Sequence, residues 1–249
     1  MGRHDIHSPF VYEYVDKCLH QKIDSGFQQQ TNKIRKKFIK DQRIIEIVDA
    51  GAGSRKLGNR RTVSQIFRTS SVKGVYADIL CQIVAFYQPL SCLELGTSLG
   101  IGTRMLTYGD SNRKVVTIDA CKNTQDVAKG YFEEEMISNQ ITTHCMTFDE
   151  YFQQQREERF DLVYIDGHHN GEALHHYMEA LEKITHPDTI FILDDIRWSS
   201  DMKKAWNELV GKEKYHLTMD LFRMGIIIPR PQQEKQHFVI RLKNVLNGF

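Results

Sequence analysis

No stretch of this chain approaches the about eighteen consecutive apolar residues that a membrane-spanning helix needs. The first ten residues carry charges and a proline and lack the apolar core of a signal peptide. Neither leader nor anchor is therefore expected, and the cytoplasm is the expected compartment. Cysteine is sparse. Cys18, Cys81, Cys92, Cys121 and Cys145 are odd in number and form no Cys-x-x-Cys pair, which speaks against a disulfide framework or a thiolate zinc site. Charge of one sign is missing as well: 33 Lys and Arg against 32 Asp and Glu leave a net charge of +1. Such a chain has no global field to attract nucleic acid or an anionic membrane, so neither partner is expected. The locally basic runs Lys33–Lys40 and Arg55–Arg61 read as solvated faces.

What is present is ordinary globular composition, with 41% hydrophobic and 26% charged residues over 249 positions. That is enough for one large α/β domain with an added terminal segment. Residues 1–70 are polar and irregular and form the expected N-terminal extension, a cap over a substrate crevice. They include an expected helix after Ser8-Pro9, with Phe10, Tyr14 and Cys18 on one face. Residues 71–249 form the expected catalytic domain. Within it helix-like and strand-like segments alternate: Tyr76–Phe86 helix, Ser91–Leu95 strand, Gly102–Tyr108 helix, Lys114–Ile118 strand, Asp126–Ile137 helix. The series continues with strands at Ile141–Met146, Asp161–Ile165 and Thr189–Leu193, a helix over Glu172–Ile184 and another near Asp201–Val210. Strands spaced by helices predict a mostly parallel sheet with helices on its faces. Tyr215–Leu221 and Gly225–Ile228, joined by a short connection, predict a terminal hairpin.

Leu93-Glu94-Leu95-Gly96-Thr97-Ser98-Leu99-Gly100-Ile101-Gly102-Thr103 lies between a strand and a helix. Glycines there let backbone approach a ligand closely, and the loop suits either a dinucleotide or an adenosyl cofactor. Glu94, two residues before the first glycine, suits a cationic ammonium and would repel a pyrophosphate. Asp119 ends the next strand, where a carboxylate can accept both hydroxyls of a ribose. Asp166-Gly-His168-His169 follows the fourth strand and Asp194-Asp195 the fifth. Strand ends of a parallel sheet open onto one crevice, so these carboxylates should converge and need a cation, a shared proton or water. Oxygen donors suit magnesium, manganese or calcium; the alternative is that Asp194 and Asp195 cap the following helix.

The stretches Glu94–Thr103, Val-Val-Thr-Ile-Asp119 and Phe160-Asp-Leu-Val-Tyr-Ile-Asp166 resemble those of class I S-adenosylmethionine (SAM)-dependent methyltransferases over about Tyr76–Ile228. The resemblance implies an α/β Rossmann-like fold with a mostly parallel seven-stranded sheet and a C-terminal antiparallel hairpin. It implies that Glu94, Gly96, Thr97, Ser98, Gly100 and Thr103 surround SAM, that Asp119 holds its ribose, and that Asp149 lies beside its adenine. The Ile165-Asp166-Gly167-x-His169 pattern is similar to bacterial relatives of the metal-dependent catechol and caffeoyl-CoA O-methyltransferases. That likeness implies Asp166, Asp194 and Asp195 as ligands of a divalent ion such as Mg2+, although the plant and animal enzymes usually carry Asn at the place of Asp195. The expected reaction is O-methylation of a small-molecule hydroxyl, with His169 as general base beside Asp166, and His168 as its alternative. Trp198 could wall an aromatic acceptor. His175-His176 reads as surface.

Two other functions stay open. A nicotinamide-dependent short-chain-type reductase would fit the glycine spacing, but its Tyr-x-x-x-Lys pair occurs nowhere in the chain. A SAM-binding protein without turnover is the non-enzymatic alternative. A second glycine-bearing segment, Ile47–Arg55, also looks like a cofactor loop but is followed by no strand ending in an acid; it reads instead as a loop that could meet an anionic part of the substrate. Spare apolar positions in the first helix permit a homodimer without requiring one.

Overall fold

The computed structural model describes residues 12–48, 59–154 and 157–242. Asp49–Arg55 and the segment around Ser8-Pro9 lie outside them. The chain opens on a short helical turn at Tyr14–Cys18, followed by helix α1 (Ser25–Lys40) and a small antiparallel pair, β1 (Ile44–Glu46) and β2 (Arg60–Thr62). Then come α2 (Val63–Ser70) and α3 (Val75–Tyr87). The main run is β3 (Ser91–Leu95), α4 (Ile101–Leu106), β4 (Lys114–Asp119), α5 (Lys122–Glu134), β5 (Ile141–Cys145), α6 (Phe148–Gln153) and β6 (Phe160–Ile165). It continues through α7 (Gly171–Leu181), β7 (Thr185–Leu193), α8 (Ser200–Gly211), β8 (Leu217–Asp220), β9 (Gly225–Ile228) and β10 (Gln236–Val239).

The large sheet runs β10-β8-β9-β7-β6-β3-β4-β5. All its neighbours are parallel except β9, which pairs antiparallel with β7 and with β8. The expected hairpin is thus present, but the sheet has eight strands where seven were expected. The eighth, β10, lies parallel to β8 at the edge. Its sequence, Gln-His-Phe-Val, offers one buried apolar residue and no polar–apolar alternation, so it carries no strand signal of its own.

Alternation along the strands divides the interior into two layers. Cys92, Val115, Leu162 and Ile192 face α3, α4 and α5, while Leu93, Leu95, Ile118, Val163 and Leu193 face α6, α7 and α8. The first layer also takes in Tyr14, Cys18, Ile34, Phe38, Ile66 and Phe67, so the described N-terminal residues share the core of the sheet.

That N-terminal zone is less irregular than its composition suggests. Helix α1 spans sixteen residues; Asp24 caps it by accepting from the Phe27 amide at 2.8 Å, and Thr31, Ile34 and Phe38 form its buried face. A stripe this thin in a Lys/Gln background gives little periodic signal, and tertiary packing stabilises the helix instead.

From β3 the sheet grows through β4 to β5 on one side and through β6 and β7 on the other. β3 and β6 therefore flank the point where the strand order reverses, and their carboxyl ends open onto a crevice.

Candidate active site

A cavity of about 370 Å³ lies at these strand ends. Gly96 and Ser98 after β3, Asp119–Cys121 after β4, Thr147 and Phe148 after β5, and Asp166–His169 after β6 line one side. Asp195 and Trp198 after β7, together with Arg223 from the β8–β9 turn, line another. Ile47, Val48, Arg61, Ile66, Thr69 and Ser70 bring the N-terminal segment over it. The volume lies in the range of small-molecule sites.

Parallel pairing holds up to the strand ends and sets the acids side by side. The Gly96 amide donates to Ile118 O, that of Asp166 to Leu95 O and that of Asp194 to Ile165 O, each at 2.9 Å. At Gly96, φ is +112°, and a Cβ would stand 2.2 Å from the carbonyl oxygen of Asp166. The turn after β3 thus touches the turn after β6 directly, a contact only glycine allows. Asp119 secures the other flank: its Oδ2 accepts from the Ser98 amide and its Oδ1 from the Cys121 amide, both at 2.8 Å. These two amides fix the orientation of the carboxylate at the cavity wall.

Several residues expected at the cofactor do not line the cavity. Glu94 belongs to the β3 face that packs on α4; its Oε2 accepts from Thr103 Oγ1 at 2.5 Å and Thr117 Oγ1 at 2.6 Å. Burial raises its carboxyl to about 8. Thr97 bonds Thr117 at 2.6 Å beneath the loop, and Gly100 begins α4 against the Phe132 ring. Strand alternation turns Glu94 inward, so Glu94, Thr97, Gly100 and Thr103 build the loop from below. Asp149 points outward from α6 to His176 Nε2 at 2.9 Å. Its neighbours Thr147 and Phe148 take the place at the cavity, because Thr147 caps the helix and leaves Asp149 on the exposed side of the first turn.

Asp166, His169 and Asp195 do converge: one donor atom from each lies within 4.8 Å of the others. Burial raises the Asp166 carboxyl well above the usual carboxylate range, and the negative charges of Asp194 and Asp195 push it further. Asp195 is raised by burial and then by Asp194. Burial lowers the His169 imidazole, outweighing the nearby carboxylates. Its Nε2 lies 3.8 Å from Asp195 Oδ2 and its ring 5.6 Å from that of Trp198. His168 sits at φ +54° with Nδ1 on the Tyr177 hydroxyl. His175 pairs with Glu208 at 2.8 Å on the outside of α7.

Asp194 departs from the expected ligand set. Its Oδ1 accepts from Arg223 Nε and from the Asp195 amide, each at 2.8 Å. Its Oδ2 accepts from Arg223 Nη2 at 2.8 Å and Tyr164 Oη at 3.0 Å. All four acceptor positions are filled by donors, so a metal ion finds no lone pair there. Arg223 Nε also lies 3.0 Å from Asp195 Oδ1. The set Asp166, Asp194 and Asp195 therefore does not fit a divalent ion in this arrangement. Sequence reasoning missed Arg223 because it sits in a two-residue turn, with no local pattern linking it to β7.

No curated protein matches the sequence. Residues 93–196 match the family model described as a methyltransferase domain. Solved structures are similar in fold. One is the O-methyltransferase from Bacillus cereus in complex with S-adenosylhomocysteine (SAH), 19% identical over 88% of this chain and 96% of that one, TM-score 0.58. TomG from Streptomyces achromogenes, an O-methyltransferase of tomaymycin synthesis in complex with SAM, is 14% identical over 91% and 97%, TM-score 0.55. The SAH-bound methyltransferase PaMTH1 of Podospora anserina is 11% identical over 90% and 96%, TM-score 0.58. Residues 93–196 thus resemble a methyltransferase domain, and the chain shares the fold of these solved methyltransferases.

Proposed function

We propose that this protein transfers a methyl group from SAM to a hydroxyl of a small molecule. The observation that carries the reading is the meeting, in one cavity, of the Gly96–Ser98 turn and Asp119 with Asp166, His169 and Asp195. When bound, SAM supplies an electrophilic methyl group on a sulfonium. Gly96 admits the cofactor against the backbone, and Asp119, already fixed by two amides, accepts the ribose hydroxyls. His169, kept neutral by burial, takes the proton of the acceptor hydroxyl. The charges of Asp195 and Asp194 favour the imidazolium that results. Trp198, 65% exposed at the rim beside His169, walls a planar acceptor. The N-terminal zone acts as the cap, with Ile66, Thr69 and Ser70 in the cavity lining.

The Bacillus cereus and Streptomyces achromogenes O-methyltransferases are bound to SAH and SAM, which supports this donor over a nicotinamide. The buried Glu94 plays no part in that choice. No step passes through a divalent ion. A small acceptor fits the cavity volume, and no helix among the described residues is long and apolar enough to cross a membrane. The test is calorimetric titration with SAH and with NADPH, followed by a screen of phenols, catechols and hydroxy acids for SAH release. Binding of SAH with release by one acceptor class is expected; binding of NADPH alone would replace the reading.

A further inference from the structure

The arrangement of acids at this site is one that a divalent cation would ordinarily neutralise, yet a cation is already built in. Arg223 reaches from the β8–β9 turn to the end of β7 and binds Asp194 through two parallel hydrogen bonds of 2.8 Å. The same Nε stands 3.0 Å from Asp195 Oδ1. Tyr164, buried beneath, ties Asp166 and Asp194 together with contacts of 3.2 and 3.0 Å. Asp195 thereby acquires a partner for its charge within the chain. Two of the five guanidinium N–H groups are spent on Asp194; the two on Nη1 and one on Nη2 have no hydrogen-bond acceptor among the described residues. Arg223 lines the cavity together with Asp166, His169 and Asp195.

We propose that Arg223 is the resident cation of this site: it holds Asp194 and Asp195 in place, keeps a divalent ion out, and stabilises the oxyanion of the acceptor. The inference rests on the methyl-transfer reading above. In the step it assists, the acceptor hydroxyl gives its proton to His169. The oxygen's electron pair forms the new O–C bond as the C–S bond breaks, and the sulfonium leaves as a neutral thioether. A guanidinium facing the cavity does by fixed charge what a bound ion does by coordination. Three features agree with this assignment. Asp194 has no acceptor position left. Asp195 has a charge that the guanidinium answers. And Arg223 is held on both flanks, by Asp194 and by the Tyr76 ring 5.7 Å from its carbon.

The test uses the full chain, with Mn2+ as probe followed by its electron paramagnetic resonance signal and SAH binding followed by calorimetry. Turnover is read as SAH released from the acceptor found in the screen above. Wild type is expected to leave the free Mn2+ signal unchanged and to keep its turnover in EDTA. The variant Arg223→Gln is expected to keep SAH affinity, to lose about 100-fold in turnover, and to take up Mn2+ on Asp166, His169 and Asp195. Arg223→Lys, which keeps the charge without the fork, is expected to exclude Mn2+ and to retain more turnover than the Gln variant. Uptake of Mn2+ by wild type with turnover lost in EDTA would overturn the proposal, as would wild-type turnover in Arg223→Gln. Should the Gln variant fail to fold, the wild-type Mn2+ titration and the Lys variant decide. Absence of SAH binding to wild type would instead strike the methyl-transfer reading, which the Mn2+ titration does not address.

Discussion

The carbonyl oxygen of Asp166 occupies the space that a side chain on Gly96 would fill, 2.2 Å from the position of its missing Cβ. Through this contact the turn after β3 and the turn after β6 pack backbone against backbone.

Gly96→Ala therefore forces the two turns apart, and its backbone conformation at φ +112° is itself unfavourable for alanine. We expect a loss of more than about 2 kcal/mol in stability and a larger relative loss of SAH affinity. Denaturant unfolding and calorimetry on the same samples check both.

Asp119 and Asp166 should separate binding from transfer. Asp119→Ala leaves the Ser98 and Cys121 amides without their acceptor and removes the ribose partner, so SAH affinity should fall about 10- to 100-fold. Asp166→Asn should bind SAH nearly as wild type does and lose transfer. Equal losses of SAH affinity in the two variants would contradict this division.

His169 gives the pH profile its shape. Burial holds its pKa below 6.5, so the neutral base is present through the neutral range. Turnover should rise with pH below 6.5 and level off above it. His169→Ala should lower kcat by about 100- to 10,000-fold and abolish that acid limb. A profile still rising well above pH 7 would move the base role elsewhere.

Glu94 makes a distinct prediction about stability. Burial raises its carboxyl from an ordinary 4.5 to about 8, so the folded chain holds this proton where the unfolded chain has released it. The proton count in the folded state then exceeds that in the unfolded state between the two values. Stability accordingly falls as pH rises through this window, by about 1.4 kcal/mol per pH unit, and is flat above it. Glu94→Gln, which cannot ionise, should remove this contribution and be more stable than wild type near pH 8. Urea unfolding at pH 5 and pH 8 measures the difference.

The alternation of helix and strand, the glycine turn and the acids at strand ends were legible in the sequence. Each is a local pattern: hydrophobic periodicity marks the buried faces, and residues that follow parallel strands gather at one end of the sheet. The sheet's eighth strand and helix α1 were not legible, because four residues at an edge, two of them polar, and a thin apolar stripe are stabilised by what packs on them. The site divides in the same way. Asp119, Asp166, His169 and Asp195 reach the cavity as expected, whereas Glu94 turns inward and Asp149 outward, since one step along a strand or a helix reverses which side a side chain meets. What only the tertiary structure decided is the charge balance of the catalytic cluster. Arg223 lies about thirty residues beyond Asp194 in sequence, and only the antiparallel insertion of β9 between β7 and β8 brings its guanidinium onto that carboxylate.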